Sequence, residues 1–158
     1  MRNSWTINRR HLMLSTAAVF ALASGVARAS APQLAIKVYK DPSCGCCGAW
    51  VDHLKKAGFT TDVEERFDMN ALKTKLGVPS DLASCHTGLI DGYAIEGHVP
   101  AADIKRLVAS RATAKGLAVA GMPVNSPGME VSGEPNEQYM VWLFQSDGKR
   151  IAYAQHGG

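Results

Sequence analysis

From Leu34 to Tyr39 apolar and polar residues alternate with the period of two of a half-buried strand, until Asp41-Pro42-Ser43 interrupts it. The period then lengthens. Trp50, Val51 and Leu54 form one apolar stripe, with Lys55 and Lys56 turned away, which predicts a helix from Cys46 to Ala57 ended by Gly58. Phe59 to Phe67 reads as a second strand anchored by Val63 and Phe67. Asp68 is placed to cap a helix that turns Leu72 and Leu76 inward and stops at Gly77 and Pro79. Asp91-Gly92 lies between two apolar runs, Gly88–Ile90 and Tyr93–Glu96, and signals a hairpin. Pro100 opens a helix from Ala101 to Ala109, with Ile104, Leu107 and Val108 inward. Gly116 to Asn136 is rich in glycine and proline and reads as one long irregular stretch. A second hairpin, Tyr139–Gln145 and Arg150–Ala154, closes the chain around Ser146-Asp147-Gly148-Lys149.

The element order predicts an α/β fold: a β-α-β half followed by a β-β-α half, the thioredoxin-like arrangement, with an added Gly/Pro/Met-rich loop and a C-terminal hairpin. This order carries a geometric consequence. The first strand ends at the loop holding Cys44, Cys46 and Cys47. A hairpin strand antiparallel to it starts on the same side, so Cys85-His86 is expected beside that loop, and His98 returns there at the end of the next strand.

The first 29 residues obey a different pattern. Arg2, Arg9 and Arg10 precede an uncharged apolar run from Leu12 to Val26, and Ala27-Arg28-Ala29 supplies the small residues of a cleavage site before Ser30. Arg9-Arg10 has the twin-arginine placement, which leaves twin-arginine and general secretory export both open. The apolar run falls short of the roughly 20 residues a membrane helix needs. The expected organisation is a signal segment at 1–29 and a single domain at 30–158, exported to the periplasm, with no membrane span in the mature chain.

Charge changes once that segment is set aside. The whole chain of 158 residues is +3, but the four arginines of residues 1–29 reduce the 17 basic residues to 13 against 14 acidic ones, a net of −1. Together with 7% aromatic residues, that balance gives neither the basic surface nor the stacking platform of a nucleic-acid binder.

All 4 cysteines lie in the mature part. Cys44-Gly45-Cys46-Cys47 contains a C-x-x-C and a C-x-C at once. The outer pair at a helix start suits thiol–disulfide exchange, because helix N-terminal amides favour a thiolate. The third cysteine has no task in simple exchange and could trap a wrong disulfide. Three thiols in four residues, with Cys85 delivered from across the fold, suit soft-metal binding, and softness favours Cu(I), more than one ion if thiolates bridge. Adjacent Cys46 and Cys47 fit a single zinc tetrahedron poorly. Two classes therefore remain open from the residues: a Cu(I) protein, and a metal-free thiol–disulfide oxidoreductase using Cys44 and Cys47. A disulfide-stapled binding module is a third. His86, His98, Met122 and Met129 are further ligand candidates. His53, seven residues past Cys46 on a helix, lies about 10 Å along its axis and is expected to face solvent. Met69 and Met140 are expected in packing, and Trp50 beneath the cysteine loop.

Several segments together resemble a known family. Asp41-Pro42-Ser43-Cys44-Gly45-Cys46-Cys47, Ser84-Cys85-His86-Thr87, Gly92-Tyr93, Glu96-Gly97-His98-Val99-Pro100, Gly121-Met122-Pro123 and Ser126-Pro127-Gly128-Met129-Glu130 are similar to the periplasmic copper-resistance proteins of the CopG type, which are unrelated to the plasmid repressor of that name. The resemblance implies a thioredoxin-like fold and a copper cluster bridged by Cys44, Cys46, Cys47 and Cys85. It also implies a copper-dependent oxidoreductase role in Cu(I)/Cu(II) conversion, sequestration or transfer, with other periplasmic copper-resistance proteins as partners.

Overall fold

Ile36 and Val38 point to one side of the strand β1 (Ala35–Lys40) and are buried, so the alternation places one face of the strand in the core. The computed structural model describes residues 34–158, and the expected signal segment lies outside them. The helix α1 (Cys47–Lys56) returns the chain to β2 (Thr60–Glu65), which pairs parallel to β1. The helix α2 (Met69–Leu76) and a short 3-10 turn, Ser80–Leu82, lead to β3 (His86–Ile90), antiparallel to β1, and to β4 (Tyr93–Glu96), antiparallel to β3. The β3–β4 turn holds Asp91 at φ 48° and Gly92 at φ 83°, the left-handed pair that Asp-Gly tolerates. The helix α3 (Ala101–Ser110) comes next. The expected β-α-β and β-β-α halves are therefore present, in the sheet order β2-β1-β3-β4.

The chain then departs from expectation. Gly116–Val119, read as part of the irregular stretch, is a buried strand, β5, parallel to β4. Through it β6 (Tyr139–Phe144) and β7 (Arg150–His156) join the same sheet, which has seven strands. A four-residue strand opening on glycine has too little alternation to be read as one. Glycine is required there, because a Cβ at Gly116 would stand 1.7 Å from the Ala94 carbonyl oxygen.

Two layers of side chains cover the sheet. Ile36, Val38, Trp50, Leu54, Ile95, Ile104, Leu107, Leu117 and Val119 form the larger core between the sheet and the helices α1 and α3. On the opposite face Ala94, Ala118 and Phe144 meet Val78 and Leu82. Alternation along β4 and β5 divides their residues between the two cores.

Three local expectations fail for related reasons. Strand β2 has only one neighbour in the sheet, so Val63 is 41% exposed and Phe67, beyond its end, 91% exposed; Phe59 is the buried anchor instead. Asp68 stands at the start of α2 without capping it, because its carboxylate takes two 2.7 Å bonds from Arg66. Helix α2 turns Met69 and Lys73 inward, while Leu72 and Leu76 are half-buried. Among the described residues no helix is long and apolar enough to cross a membrane.

Candidate metal centre

The end of β1 and the start of β3 are adjacent, with Lys40 opposite His86 and the Asp41 amide donating to the Cys85 carbonyl at 3.4 Å. This register carries Cys85 to the Cys44–Cys47 loop. Cys44, Cys46 and Cys85 line one cleft of about 430 Å³, together with Asp41, Ser43, Met69, Lys73, Ser84 and Met122. The Asp41 carboxylate accepts bonds from the Ser43 amide (2.8 Å) and hydroxyl (2.5 Å), which turns the chain out of β1 into the cysteine loop.

Cys44 and Cys47 are joined by a disulfide. Cys47 is fully buried as the first residue of α1, and Cys46 occupies the position before it. Cys46 and Cys85 are free thiols. The Cys46 sulfur lies 3.6 Å from Cys44 Sγ and 4.0 Å from Met122 Sδ. Burial, and then the charge of the Cys46 sulfur, push the Cys85 thiol above its ordinary value.

His86 and His98 lie behind the sulfurs, fully buried and edge-to-face at 5.0 Å. His86 also stacks on Trp50 at 4.4 Å, and Trp50 donates its indole N–H to the Val99 carbonyl at 2.9 Å. Trp50 thus packs beneath the loop, as expected. The His86 Nε2–H donates to the Gly97 carbonyl (3.0 Å) and the His98 Nδ1–H to the Pro127 carbonyl (2.9 Å). Those partners assign the tautomers and leave His86 Nδ1 and His98 Nε2 as unpartnered, buried lone pairs. One ring nitrogen of His86 and the sulfurs of Cys44 and Cys47 all lie within 4.8 Å of one another. Burial, reinforced by the facing His98, pushes His86 down to about 3, and burial lowers His98. Both rings are therefore neutral, the form in which imidazole binds metal.

The cleft floor holds a group that sequence reasoning missed. Lys73 Nζ bonds Glu96 Oε1 (2.5 Å) and Thr87 Oγ1 (2.8 Å), with both charged side chains buried. Glu96 also accepts the Thr87 hydroxyl (2.6 Å) and the Ser84 amide (2.6 Å). Burial raises the Glu96 carboxyl, and the Lys73 ammonium opposes that rise. The bond to Ser84 fixes the residue before Cys85, so the buried carboxylate holds the chain that brings Cys85 to the loop. A lysine on an amphipathic helix, with Lys75 two residues further on, carries no sequence signal for this burial.

The other candidates separate. Met122 is at the cleft. Met129 is half-buried in the turn after Ser126 and does not line the cleft. Met69 is buried as expected, and it also borders the cleft. Met140 is half-buried. His53 does not face solvent as expected: it is half-buried, and its Nε2 accepts the Ala101 amide at 3.1 Å. It thereby caps α3, whose preceding Pro100 has no capping side chain. Gly128 packs against the backbone of α1 at Ala49 and Trp50. Its φ is +87°, and a Cβ there would stand 2.6 Å from the Trp50 amide nitrogen, so only glycine lets the Pro127 carbonyl reach His98.

A family model described as "Protein of unknown function, DUF411" matches residues 82–129, from the end of the 3-10 turn to Met129. No curated protein matches the chain. Two solved structures do, both of copper resistance protein CopG. Form 1 is 47% identical and covers 80% of this chain and 99% of that one, with a TM-score of 0.75. This chain belongs to the CopG family. Form 2, also 47% identical, covers 78% of this chain and 98% of its own, with a TM-score of 0.74. The DUF411 segment is the part that carries Cys85, His86, Glu96, His98, Met122 and Gly128.

Proposed function

We propose that this CopG-family protein binds Cu(I) on Cys44, Cys46, Cys47 and Cys85, more than one ion in the fully reduced state, and acts in copper resistance in the periplasm. The observation that carries this reading is the convergence of the four cysteines and two buried, neutral histidines on one end of the sheet. With a metal–sulfur distance of about 2.3 Å, two sulfurs sharing an ion stand about 3.8 to 4.0 Å apart. The Cys44 and Cys46 sulfurs, 3.6 Å apart, stand close to that range. Reduction of the Cys44–Cys47 disulfide supplies the two remaining thiolates, and Cu(I) binding then favours the reduced form by mass action. The unpartnered nitrogens of His86 and His98 are further donors. Copper is the cargo here, held for sequestration, transfer or Cu(I)/Cu(II) conversion, with other periplasmic copper-resistance proteins as exchange partners.

The disulfide itself favours a second reading, thiol–disulfide exchange through Cys44 and Cys47 at the N-terminus of α1. One variant separates the two. Anaerobic elemental analysis of protein from copper-fed cells, with a thiol titration, should find copper bound and should lose most of it in Cys46→Ser. Protein that takes up no copper when reduced, but reduces a test disulfide equally well with Cys46→Ser, would establish the exchange reading instead.

A further inference from the structure

Ala101 opens α3, and its amide lies in the first turn, where the helix itself offers no acceptor. The Asp103 and Ile104 amides turn back to the Pro100 carbonyl at 3.0 and 3.2 Å. The Ala101 amide instead crosses to α1 and donates to His53 Nε2 at 3.1 Å. An accepting Nε2 carries no proton, so the neutral ring holds its proton on Nδ1. Ala101 is 3% exposed, which leaves water a poor substitute for this partner.

Ala101 ends a short segment that braces the two buried histidines. The Gly97 carbonyl accepts from His86 Nε2 (3.0 Å), the Val99 carbonyl accepts from the Trp50 indole (2.9 Å), and His98 stands between them in the chain. Residues 97–100 are all buried. The His53 bond therefore ties the end of this segment to α1, the helix that also carries Cys47 and Trp50.

The charges around His53 are mixed. Burial is the largest influence and favours the neutral ring; Glu130, on the loop after β5, favours the charged form, and Lys56 on α1 opposes it. The other charged side chains of this part of α1, Asp52 and Lys55, bond each other. On α3, Asp103 is engaged by Arg106 and His156, and Lys105 donates to the Ala57 carbonyl. The amide facing Nε2 belongs to the positive end of α3. A proton on Nε2 would set N–H against N–H and lose the bond.

We propose that His53 is a pH-operated latch and a positioning residue: its neutral ring ties the segment 97–101 to α1, and protonation of Nε2 releases the Ala101 amide and loosens the carbonyls that orient His86 and Trp50. The latch is built from the chain's own packing and is independent of whether the cysteine cluster binds Cu(I). Because the charged form is disfavoured, the latch is closed above the ordinary histidine value of about 6.5 and opens as pH falls below it.

The test is amide hydrogen exchange by NMR on the metal-free protein with its Cys44–Cys47 disulfide intact, alongside a titration of the histidine rings. Protection factors, which divide out the intrinsic pH dependence of exchange, are compared at about pH 7 and about pH 4.5. The Ala101 factor should fall by about fivefold or more as His53 titrates, the change expected for one lost helix cap. Protection of the Trp50 indole N–H should fall with it. His53→Gln sets an amide oxygen in place of Nε2 and cannot take up the proton, so its Ala101 protection should stay within about twofold across the range. His53→Leu should show low protection at both pH values. An Ala101 factor that holds while His53 titrates overturns the latch, and so does a His53 ring that stays neutral down to about pH 4.5. A His53→Gln chain that loses protection as steeply as the unaltered one overturns it too, since the fall would then belong to His86 or His98.

Discussion

Lys73 donates to Glu96 across 2.5 Å in a place where both side chains are almost wholly removed from water. Such a pair is costly to assemble and costlier to break, because removing one partner strands the other's charge. Glu96→Leu should therefore destabilise the protein by about 3 to 5 kcal/mol, and Lys73→Met combined with Glu96→Leu should recover part of that loss. Urea denaturation of the two variants checks this. Equal stability of the single and double variants would show that the charges are not coupled. The Glu96 variant should also loosen Cys85, seen as faster alkylation of that thiol, because the bond to the Ser84 amide is lost.

Alkylation of the folded, non-reduced protein should label Cys46 and Cys85 and leave Cys44 and Cys47 intact. Cys85 should react more slowly than a free model thiol near neutral pH, since burial and the Cys46 sulfur hold it in the unreactive protonated form. Peptide mass mapping after a time course reads both. A Cys85 rate equal to that of the model thiol counts against its burial in the cleft.

Acid should weaken the metal-free protein through its buried histidines. His86 is pushed down to about 3, and burial lowers His53 and His98. An unfolded histidine titrates near about 6.5. Below that pH the unfolded chain binds protons that the folded chain refuses, so this stability is complete above about 6.5 and is lost as pH falls toward the folded values. The urea midpoint should drop between about pH 7 and about pH 5, and His86→Gln should flatten the slope. A midpoint constant over that range contradicts the buried neutral imidazoles.

Gly128→Ala should destabilise by about 1 to 3 kcal/mol, through both its left-handed backbone and the contact with the Trp50 amide. Its thermal midpoint should fall accordingly. An unchanged midpoint would mean that the turn does not press on α1.

Phe67→Ser tests the exposed end of the edge strand. Phe67 is 91% exposed, so the substitution should change stability by less than about 0.5 kcal/mol. A loss of about 3 kcal/mol or more would instead match a buried anchor.

Local pattern was enough for the elements of the first two halves. The alternation in Leu34–Tyr39, the stripe of Trp50, Val51 and Leu54 and the Asp91-Gly92 turn each describe a one-sided surface, which needs only nearest neighbours to be read. Strand β5 was illegible because Gly116-Leu-Ala-Val is buried on both faces and acquires its role only from β4 and β6 beside it. His53 and Lys73 were misread or missed for the same reason. Each lies on a helix where a polar residue ordinarily meets water, and each is turned into the fold by a partner far along the chain, Ala101 or Glu96.

The cysteine cluster combines both kinds of information. Composition and spacing alone set the soft, sulfur-rich character of Cys44, Cys46 and Cys47 and, through element order, the side of the sheet on which Cys85 would fall. Which sulfurs bond, which thioether stands beside them and which buried charges brace the loop depended on side chains meeting across long stretches of chain. Such contacts are fixed by register and packing density, and a linear pattern records neither.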